Sequence, residues 1–237
     1  QRRWNNKPYN LSVNLRHNQN TLNKQVDLTL PELAFTVNRI FPFKNVIGKK
    51  YLQNFGINYQ LNAKNNLTAP DSVLFQNINQ NIRSGIKHSI PISTSFSILK
   101  HINVSPSIQY NERWYFNKKM KTWDSDLGIM NSDTLTGFWA VRDYSFSTQF
   151  STKIYGLIST KKKKFRHVFT PSLTYSYKPD FSQEKFGVYE EVETDNGVEK
   201  YSHFEGSIYG VPGATKQNLL SLNLNNNLEM KINKNGE

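Results

Sequence analysis

The segment LSLNLNNNLEMKI near the end of the chain alternates between apolar and polar side chains. Because successive side chains of a strand point to opposite faces, it predicts a ribbon with one apolar and one polar face. It is longer than a typical soluble strand of about 5–6 residues, and ample for a tilted strand across a bilayer, which needs about 9–11. We expect the apolar parity to face lipid: Leu220, Leu222, Leu224, Leu228, Met230 and Ile232.

The same alternation recurs along the whole chain, with few signs of a helix. Only 73–82 has a spacing that fits a short helix as well as a loop. The pattern predicts an all-β fold, an antiparallel transmembrane β-barrel in which 1–237 supplies about eight long strands of one larger barrel domain. The predicted strands are 9–16, 26–37, 55–63, 86–98, 102–116, 138–154, 169–177 and 220–232.

Composition agrees with a barrel and argues against a helical membrane protein. Aromatic residues make up 13% of the chain, whereas hydrophobic residues make up only 37%. A barrel with a polar lumen needs this mixture, because only half of each strand meets lipid. No apolar run approaches the roughly 18 residues of a transmembrane helix. The chain opens QRRWNN and stops at KINKNGE, so we expect an internal piece of a longer polypeptide.

The connections between the predicted strands sort by length. Alternate connections at 41–50, 99–101 and 158–164 are fairly short, whereas those at 64–85, 117–137 and 179–216 are long; 20–24 is the one short exception on that side. Short periplasmic turns and long extracellular loops are typical of outer-membrane barrels. The localisation predicted from this asymmetry is the outer membrane.

Four prolines fall inside predicted strands. A proline cannot donate to the strand ladder, so each is expected to mark a β-bulge that bends the wall. At Pro31 the apolar parity also changes, which strengthens the prediction of a bulge there. The four positions are Pro31, Pro91, Pro106 and Pro171.

The net charge of +12 admits nucleic acid, anionic lipid or acidic glycans as partners. The basic residues are dispersed, and no nucleic-acid recognition module is apparent, so no nucleic-acid partner is expected. The shorter connections are basic, including the run Lys161–Lys164, whereas the longest connection is acidic. Either exposed turns simply need charge for solubility, or the basic rim faces anionic headgroups or an anionic cargo.

Three segments resemble the lipopolysaccharide-assembly translocon, the LptD or organic-solvent-tolerance family, in its Bacteroidetes-type form. They are LTLPELAFTVNRIFPFK at 28–44, IKHSIPISTSFSILKHINVSPSIQY at 86–110 and RHVFTPSLTYSYKPDFS at 166–182. The last is the most specific, with an entering Thr-Pro and a Tyr-x-Tyr-x-Pro exit. The resemblance implies a very large barrel after a periplasmic domain, with lipopolysaccharide leaving through a lateral opening. It also implies three partners beyond outer-membrane lipid: lipopolysaccharide, an LptE-type lipoprotein inside the barrel, and an LptA-type periplasmic bridge.

The polar parity of the strands is the best candidate functional surface. Arg and Lys match phosphate through charge-assisted hydrogen bonds, and Asn offers a donor and an acceptor to sugar hydroxyls. These side chains either form a generic hydrated lumen wall or contact the glycolipid or the internal lipoprotein. The candidates are Asn14, Arg16, Asn223, Asn225, Asn227, Glu229 and Lys231.

No catalytic or cofactor site is predicted. The chain has no G-x-S-x-G, no H-E-x-x-H and no phosphate-cradling glycine loop, and its five histidines lack metal-ligand spacing. We therefore expect a conduit and insertase for lipopolysaccharide that is not an enzyme and binds no cofactor or metal. The alternatives are another large barrel, such as a TonB-dependent transporter or a secretion channel, or a secreted β-rich adhesin.

Overall fold

A computed structural model describes residues 1–74, 82–159 and 163–232, and for 231–232 it describes the backbone alone. These residues form thirteen strands and a one-turn helix, α1 (Lys50–Gln53). The strands are β1 (Arg2–Arg3), β2 (Tyr9–Asn20), β3 (Gln25–Ile40), β4 (Gly56–Pro70), β5 (Ile82–Ser93), β6 (Phe96–Ile98), β7 (Ile102–Asp124), β8 (Ile129–Ser151), β9 (Ile154–Ser159), β10 (Lys163–Lys178), β11 (Tyr189–Thr194), β12 (Gly197–Ser202) and β13 (Gln217–Ile232).

Eleven of these strands form one antiparallel sheet in which sequence neighbours are spatial neighbours. Its order is β1-β2-β3-β4-β5-β7-β8-β10-β13, with β6 beside β7 and β9 beside β10. The sheet is open, with β1 and β13 at its two ends, and β11 and β12 form a separate hairpin. Eight described strands have twelve or more residues, which confirms the all-β antiparallel prediction and its eight long strands. No described helix is long and apolar enough to span a membrane.

The predicted bulge at Pro31 is confirmed. Between Thr29 and Glu32, β3 advances three residues, while β2 advances two from Arg16 to Asn14 and β4 two from Asn66 to Lys64. The extra residue of β3 shifts its side chains by one parity. This is why the apolar residues before and after Pro31 occupy opposite parities yet lie on the same face of the sheet.

The other three prolines do not make bulges, so that part of the prediction is wrong. Pro91, Pro106 and Pro171 pair in continuous register with Gln109, Thr148 and Leu224. Two of them lie where the neighbouring strand is interrupted. Pro106 accepts a hydrogen bond from the Thr94 N–H in the gap between β5 and β6, and Pro171 accepts one from the Thr152 N–H between β8 and β9. A missing proline N–H leaves no broken ladder bond where the adjacent strand is itself broken.

Two of the predicted long connections are wrong as well. The connection predicted at 64–85 lies within 71–81, because β4 continues to Pro70 and β5 begins at Ile82, and the connection predicted at 117–137 is mostly strand. There β7 continues to Asp124 and β8 begins at Ile129, so that only a four-residue turn, 125–128, joins them. The charged stretch NKKMKTWD looked like a loop, but its side chains alternate across a hairpin that projects beyond the rest of the sheet. Residues 75–81, where the short helix was considered, lie outside the described residues, and the 3-10 turn before them ends at Val73.

The sheet has an apolar face and a polar face, as the alternation predicts. The register places Leu222 opposite Leu173 and Ile108 opposite Phe146 on the apolar face. A row of aromatic rings crosses this face from the first strands to β8, with centroid separations of 4.3 to 6.5 Å. The row consists of Trp4, Tyr9, Phe35, Tyr59, His88, Trp114 and Phe138.

Candidate functional site

The candidate site is the polar face together with the long connection that folds onto it. This connection, residues 179–216, joins β10 to β13 and carries the β11–β12 hairpin; we call it the strap. It leaves the end of the sheet where β2–β3, β4–β5 and β7–β8 also connect, which we call the strap end. Its three basic residues are outnumbered by eight acidic ones: Asp180, Glu184, Glu190, Glu191, Glu193, Asp195, Glu199 and Glu205.

An apolar seat holds the strap on the polar face. Tyr115 of β7 and Val141 of β8 pack with Val188 and Phe204 of the strap, and all four are at most 3% exposed. The rings of Tyr115 and Phe204 stack with centroids 5.4 Å apart. The Tyr115 hydroxyl donates a 2.5 Å hydrogen bond to the Gly210 carbonyl, so its polar end is also satisfied. These contacts form a buried hydrophobic cluster between the sheet and the strap.

A buried ion pair lies beside this seat. Arg113 of β7 pairs through Nη1 with Asp143 of β8, and Arg113 Nε donates to the Tyr209 carbonyl of the strap at 3.2 Å. Asn111 donates to the other oxygen of Asp143 at 2.8 Å. Both charged side chains are nearly buried and have lost most of their hydration. The attraction between the two charges compensates for that loss. The strap is therefore fixed to the polar face by a polar bond as well as by apolar packing.

The strap comes so close to β5 that only glycine fits beneath it. A Cβ built on Gly85 would lie 2.8 Å from Ile208 Cγ2 and 3.3 Å from Tyr209 Cδ2. Burial, with a smaller contribution from the charge of Glu32, raises the pKa of Tyr209 to about 12. Glu32 belongs to β3. The residues that interact with the strap therefore lie on strands from β8, through β7 and β5, to β3.

The projecting β7–β8 hairpin is bonded to residues 201–205 of the strap. The Lys119 N–H donates to the His203 carbonyl at 2.8 Å, and His203 Nδ1 lies 3.1 Å from the Lys119 carbonyl. The Lys121 N–H donates to the Tyr201 hydroxyl at 3.0 Å, and Lys121 Nζ lies 2.9 Å from Glu205. The basic hairpin and the acidic strap thus attract each other.

Burial lowers the pKa of His203. The nearby charge of Lys118 acts in the same direction, whereas the hydrogen bond to the Lys119 backbone and the charge of Glu190 oppose it. Glu190 lies 3.6 Å from His203 Nε2 and also accepts from the Tyr201 hydroxyl at 2.7 Å. His203 therefore favours its neutral form when the strap is docked.

A polar cleft of about 670 Å³ remains between the hairpin, β5 and the strap. Its titratable lining residues are Arg83, Lys119, Asp133, His203 and Glu205. A cleft of this size with mixed charges and hydroxyl groups suits a polar, hydrated ligand such as a sugar. Among the described residues no cluster of His, Cys, Asp or Glu can hold a metal ion.

The predicted lumen residues share the polar parity but do not come together. Asn14 and Arg16 lie on β2, near one end of the sheet, where Arg16 pairs with Glu32 at 3.1 Å. The others lie on β13, at the opposite end. Asn223, Asn225, Asn227, Glu229 and Lys231 pair there in register with β10.

The β13 residues form a bare surface in this chain. Asn227 donates to Glu229 at 2.9 Å, and Arg166 of β10 lies 3.8 Å from Glu229. The side chains of Lys231 and Ile232 lie outside the described residues. The predicted lipid-facing residues before them occupy the apolar parity and are exposed: Leu220, Leu222, Leu224, Leu228 and Met230. Asn226 also occupies that parity, where it contacts His167 at 3.1 Å.

The sequence prediction missed the residues that seat the strap. Tyr115, Val141, Arg113 and Asp143 lie on the parity assigned to a hydrated wall. One signal was present: the three consecutive aromatic residues 114–116 must place rings on both faces of a strand. A ring on the polar face needs a cover, and the strap provides it.

The comparisons with known proteins identify the family. A family model described as LptD protein matches residues 1–237, the whole chain. No curated protein and no solved structure matches it. The match agrees with the resemblance found at 28–44, 86–110 and 166–182, and it favours the translocon over a TonB-dependent transporter or an adhesin. The chain therefore belongs to the LptD protein family, which indicates a role in lipopolysaccharide transport.

Proposed function

We propose that this chain forms a section of the wall of an outer-membrane β-barrel that conducts lipopolysaccharide and inserts it into the outer leaflet. In this arrangement the apolar face contacts membrane lipid, the polar face lines the lumen, and the strap folds into the lumen from the extracellular end. The observation that carries the proposal is the amphipathic sheet of eight long strands, whose polar face is covered by an inward-folded connection.

The apolar face of the sheet is unfavourable in contact with water. An antiparallel sheet with one apolar face needs a cover for that face, yet many of the large apolar side chains on it are exposed. Leu220, Leu222, Leu224 and Leu228 are each more than half exposed. Membrane lipid supplies the missing apolar environment, and barrel closure with further strands would satisfy the open edges at β1 and β13.

The partners follow from the same arrangement. The wet surface at Asn223, Asn225 and Asn227 offers donors and acceptors, and we propose that it contacts the sugars of the glycolipid or an LptE-type lipoprotein inside the barrel. An LptA-type bridge would deliver lipid from the periplasm. No residue of this chain is proposed to act as a catalyst.

Cysteine accessibility tests the two-face assignment. The chain has no cysteine, so single cysteines report on defined positions in a cysteine-free full-length protein. Asn223→Cys and Leu222→Cys are adjacent in β13 and on opposite faces. A water-soluble maleimide should label Asn223→Cys in intact outer membranes, whereas only a lipid-soluble one should label Leu222→Cys. Equal labelling of the two by the water-soluble reagent would contradict a membrane-facing apolar side.

Crosslinking tests the conduit. Photo-reactive side chains at Arg16 and Asn225 should crosslink to lipopolysaccharide in cells that are exporting it, and the same side chain at Leu222 should give much less product during export. If both polar-face positions give no more lipopolysaccharide adduct than Leu222, the polar face is only a hydrated wall.

A further inference from the structure

The apolar face carries a cluster of charged and polar side chains on β7 and β8. Glu112 of β7 lies directly opposite Arg142 of β8, on the parity of Ile108 and Phe146. Arg142 Nε lies 3.0 Å from Glu112 Oε2. A charge on the lipid face of a barrel strand is costly, so an ion pair retained there calls for an explanation in terms of function.

Glu112 is held by three donors at once. The Tyr110 hydroxyl donates to Oε2 at 2.6 Å, the Trp114 indole N–H to Oε1 at 2.7 Å, and Arg142 Nε to Oε2. With both oxygens engaged, Glu112 fixes the orientation of the guanidinium. Only the Nε donor of Arg142 meets Glu112, its side chain is 60% exposed, and a guanidinium has five N–H donors.

A neighbouring histidine has a polar atom that the cluster leaves without a hydrogen-bonding partner. His88 lies opposite Glu112 on β5, packs against Trp114 at 4.3 Å, and contacts the Tyr59 hydroxyl through Nδ1 at 2.8 Å. Its Nε2 is buried and has no hydrogen-bonding partner among the described residues. A buried polar atom without a partner is rare and indicates a missing ligand, ion or water.

The cluster lies at a defined level of the wall. Two residues further toward the strap end, the rings of Trp114 and Phe116 both contact the ring of Phe138, and beyond them β7 becomes the polar stretch NKKMKTWD. Aromatic rings at a change from apolar to polar residues mark the membrane interface of a barrel. Two residues of strand span about 7 Å, so Arg142 lies on the acyl-chain side of that boundary, and its long side chain can reach the headgroups.

We propose that Arg142, oriented by Glu112, binds the phosphate of a lipid headgroup in the leaflet at the strap end. A guanidinium binds phosphate through paired N–H donors, which a lysine ammonium cannot reproduce. The indole and phenol groups around it suit the boundary between acyl chains and headgroups. This site rests on the proposed function only in requiring that the apolar face contacts lipid; it lies outside the lumen and is separate from the conduction path.

Lipid retention by the full-length protein in nanodiscs tests the site. Bis-phosphorylated lipid A is the probe, and native mass spectrometry counts the lipid that stays bound. Arg142→Gln should lower the retained lipid A about fivefold. Glu112→Gln keeps a side-chain oxygen that can accept from Arg142 Nε but removes the competing negative charge, so it should retain at least as much lipid A as the wild type. Arg39→Gln removes the same charge at the opposite end of the sheet, where Arg39 contacts the Asn54 and Ser93 carbonyls, and should match the wild type.

Three results would overturn the proposal. The first is equal retention of lipid A by Arg142→Gln and the wild type. The second is that Arg142→Gln lowers retention of dephosphorylated lipid A as much as it lowers retention of the phosphorylated form. The third is full displacement of the lipid by inorganic phosphate, which would assign the site to a free anion. Phosphatidylglycerol showing the same dependence on Arg142 would support phosphate recognition. Heat-modifiable migration in detergent separates failure of the barrel proposal from failure of the Arg142 site. A protein that does not show heat-modifiable migration is not a membrane barrel, whatever Arg142 binds.

Discussion

The polar face is dry in one region and wet in another, although the two regions have the same alternating pattern. On β7 and β8 it contains Tyr115, which is 1% exposed, and the buried pair of Arg113 and Asp143. On β13 it contains Asn223 and Asn225, which are exposed. The strap lies over the first region and leaves the second bare.

The difference shows that strand parity assigns a side chain to a face but does not determine its burial. A residue on the polar face meets water, another protein segment or a ligand, according to what the connections do. The covered region is therefore where substitutions should alter docking of the strap, and the bare region is where they should not. The amide of Lys119, which bonds to the His203 carbonyl, reports docking directly through its hydrogen-exchange protection.

Tyr115→Ala should have the largest effect. It removes a fully buried ring between Val141 and Phe204 together with the hydroxyl that bonds to Gly210. Aromatic-to-alanine changes in a packed core cost about 3–5 kcal/mol. Loss of protection at the Lys119 amide should follow, whereas Leu222→Ala, on the opposite face, should leave that amide protected. Unchanged protection in Tyr115→Ala would show that the seat does not hold the strap.

Arg113→Leu should rank next. It leaves Asp143 buried without its charged partner and removes the bond to the Tyr209 carbonyl. Breaking one side of a buried pair costs about 3 kcal/mol or more. The double variant Arg113→Leu with Asp143→Leu should recover part of the protection, because no charge remains buried. A double variant as poorly protected as the single one would mean that the Tyr209 bond, rather than the ion pair, dominates.

Gly85→Ala should weaken docking by about 1 kcal/mol, because the new methyl group overlaps Ile208 and forces it to move. Gly156→Ala on β9 is the matched control, since its nearest neighbour would be His167 Cβ at an ordinary 3.7 Å. Partial loss of Lys119 protection in the first variant and none in the second is the expected result. Equal protection in both would show that the strap tolerates a Cβ beneath it.

Acidic pH should loosen the strap. Burial lowers the pKa of His203 in the docked state below its ordinary value of 6.5, so the undocked imidazole takes up a proton first. Docking should be independent of this group above that value and weaken as the pH falls below it, by at most about tenfold per pH unit. His203→Gln should abolish this dependence of Lys119 protection. A pH profile that survives the substitution would show that His203 is not the group responsible.

Asn225→Ala should have the smallest effect, below about 0.5 kcal/mol on docking, because an exposed side chain on β13 contacts no part of the strap. Its expected effect is on crosslinking to the glycolipid and not on the Lys119 amide. A loss of protection here would show that the bare and covered regions are coupled.

Much of the fold was predictable because alternation is a local property. The parity change at Pro31, the eight long strands and the two faces all follow from residues adjacent in sequence. The errors arose where a neighbour decides the outcome. Pro106 and Pro171 keep their register because adjacent strands are interrupted beside them, and 117–124 becomes a strand because 129–137 and the strap pair with it.

The sequence by itself determined which side chains share a face, because successive residues of a strand point in opposite directions. It therefore specified the ribbon at 220–232, with leucines on one side and asparagines on the other. Only the tertiary structure decided that the acidic connection 179–216 folds over β7 and β8, since that depends on contacts such as Tyr115 with Phe204, about ninety residues apart. It also decided that Glu112 and Arg142 meet on the apolar face, because strand pairing joins residues thirty positions apart.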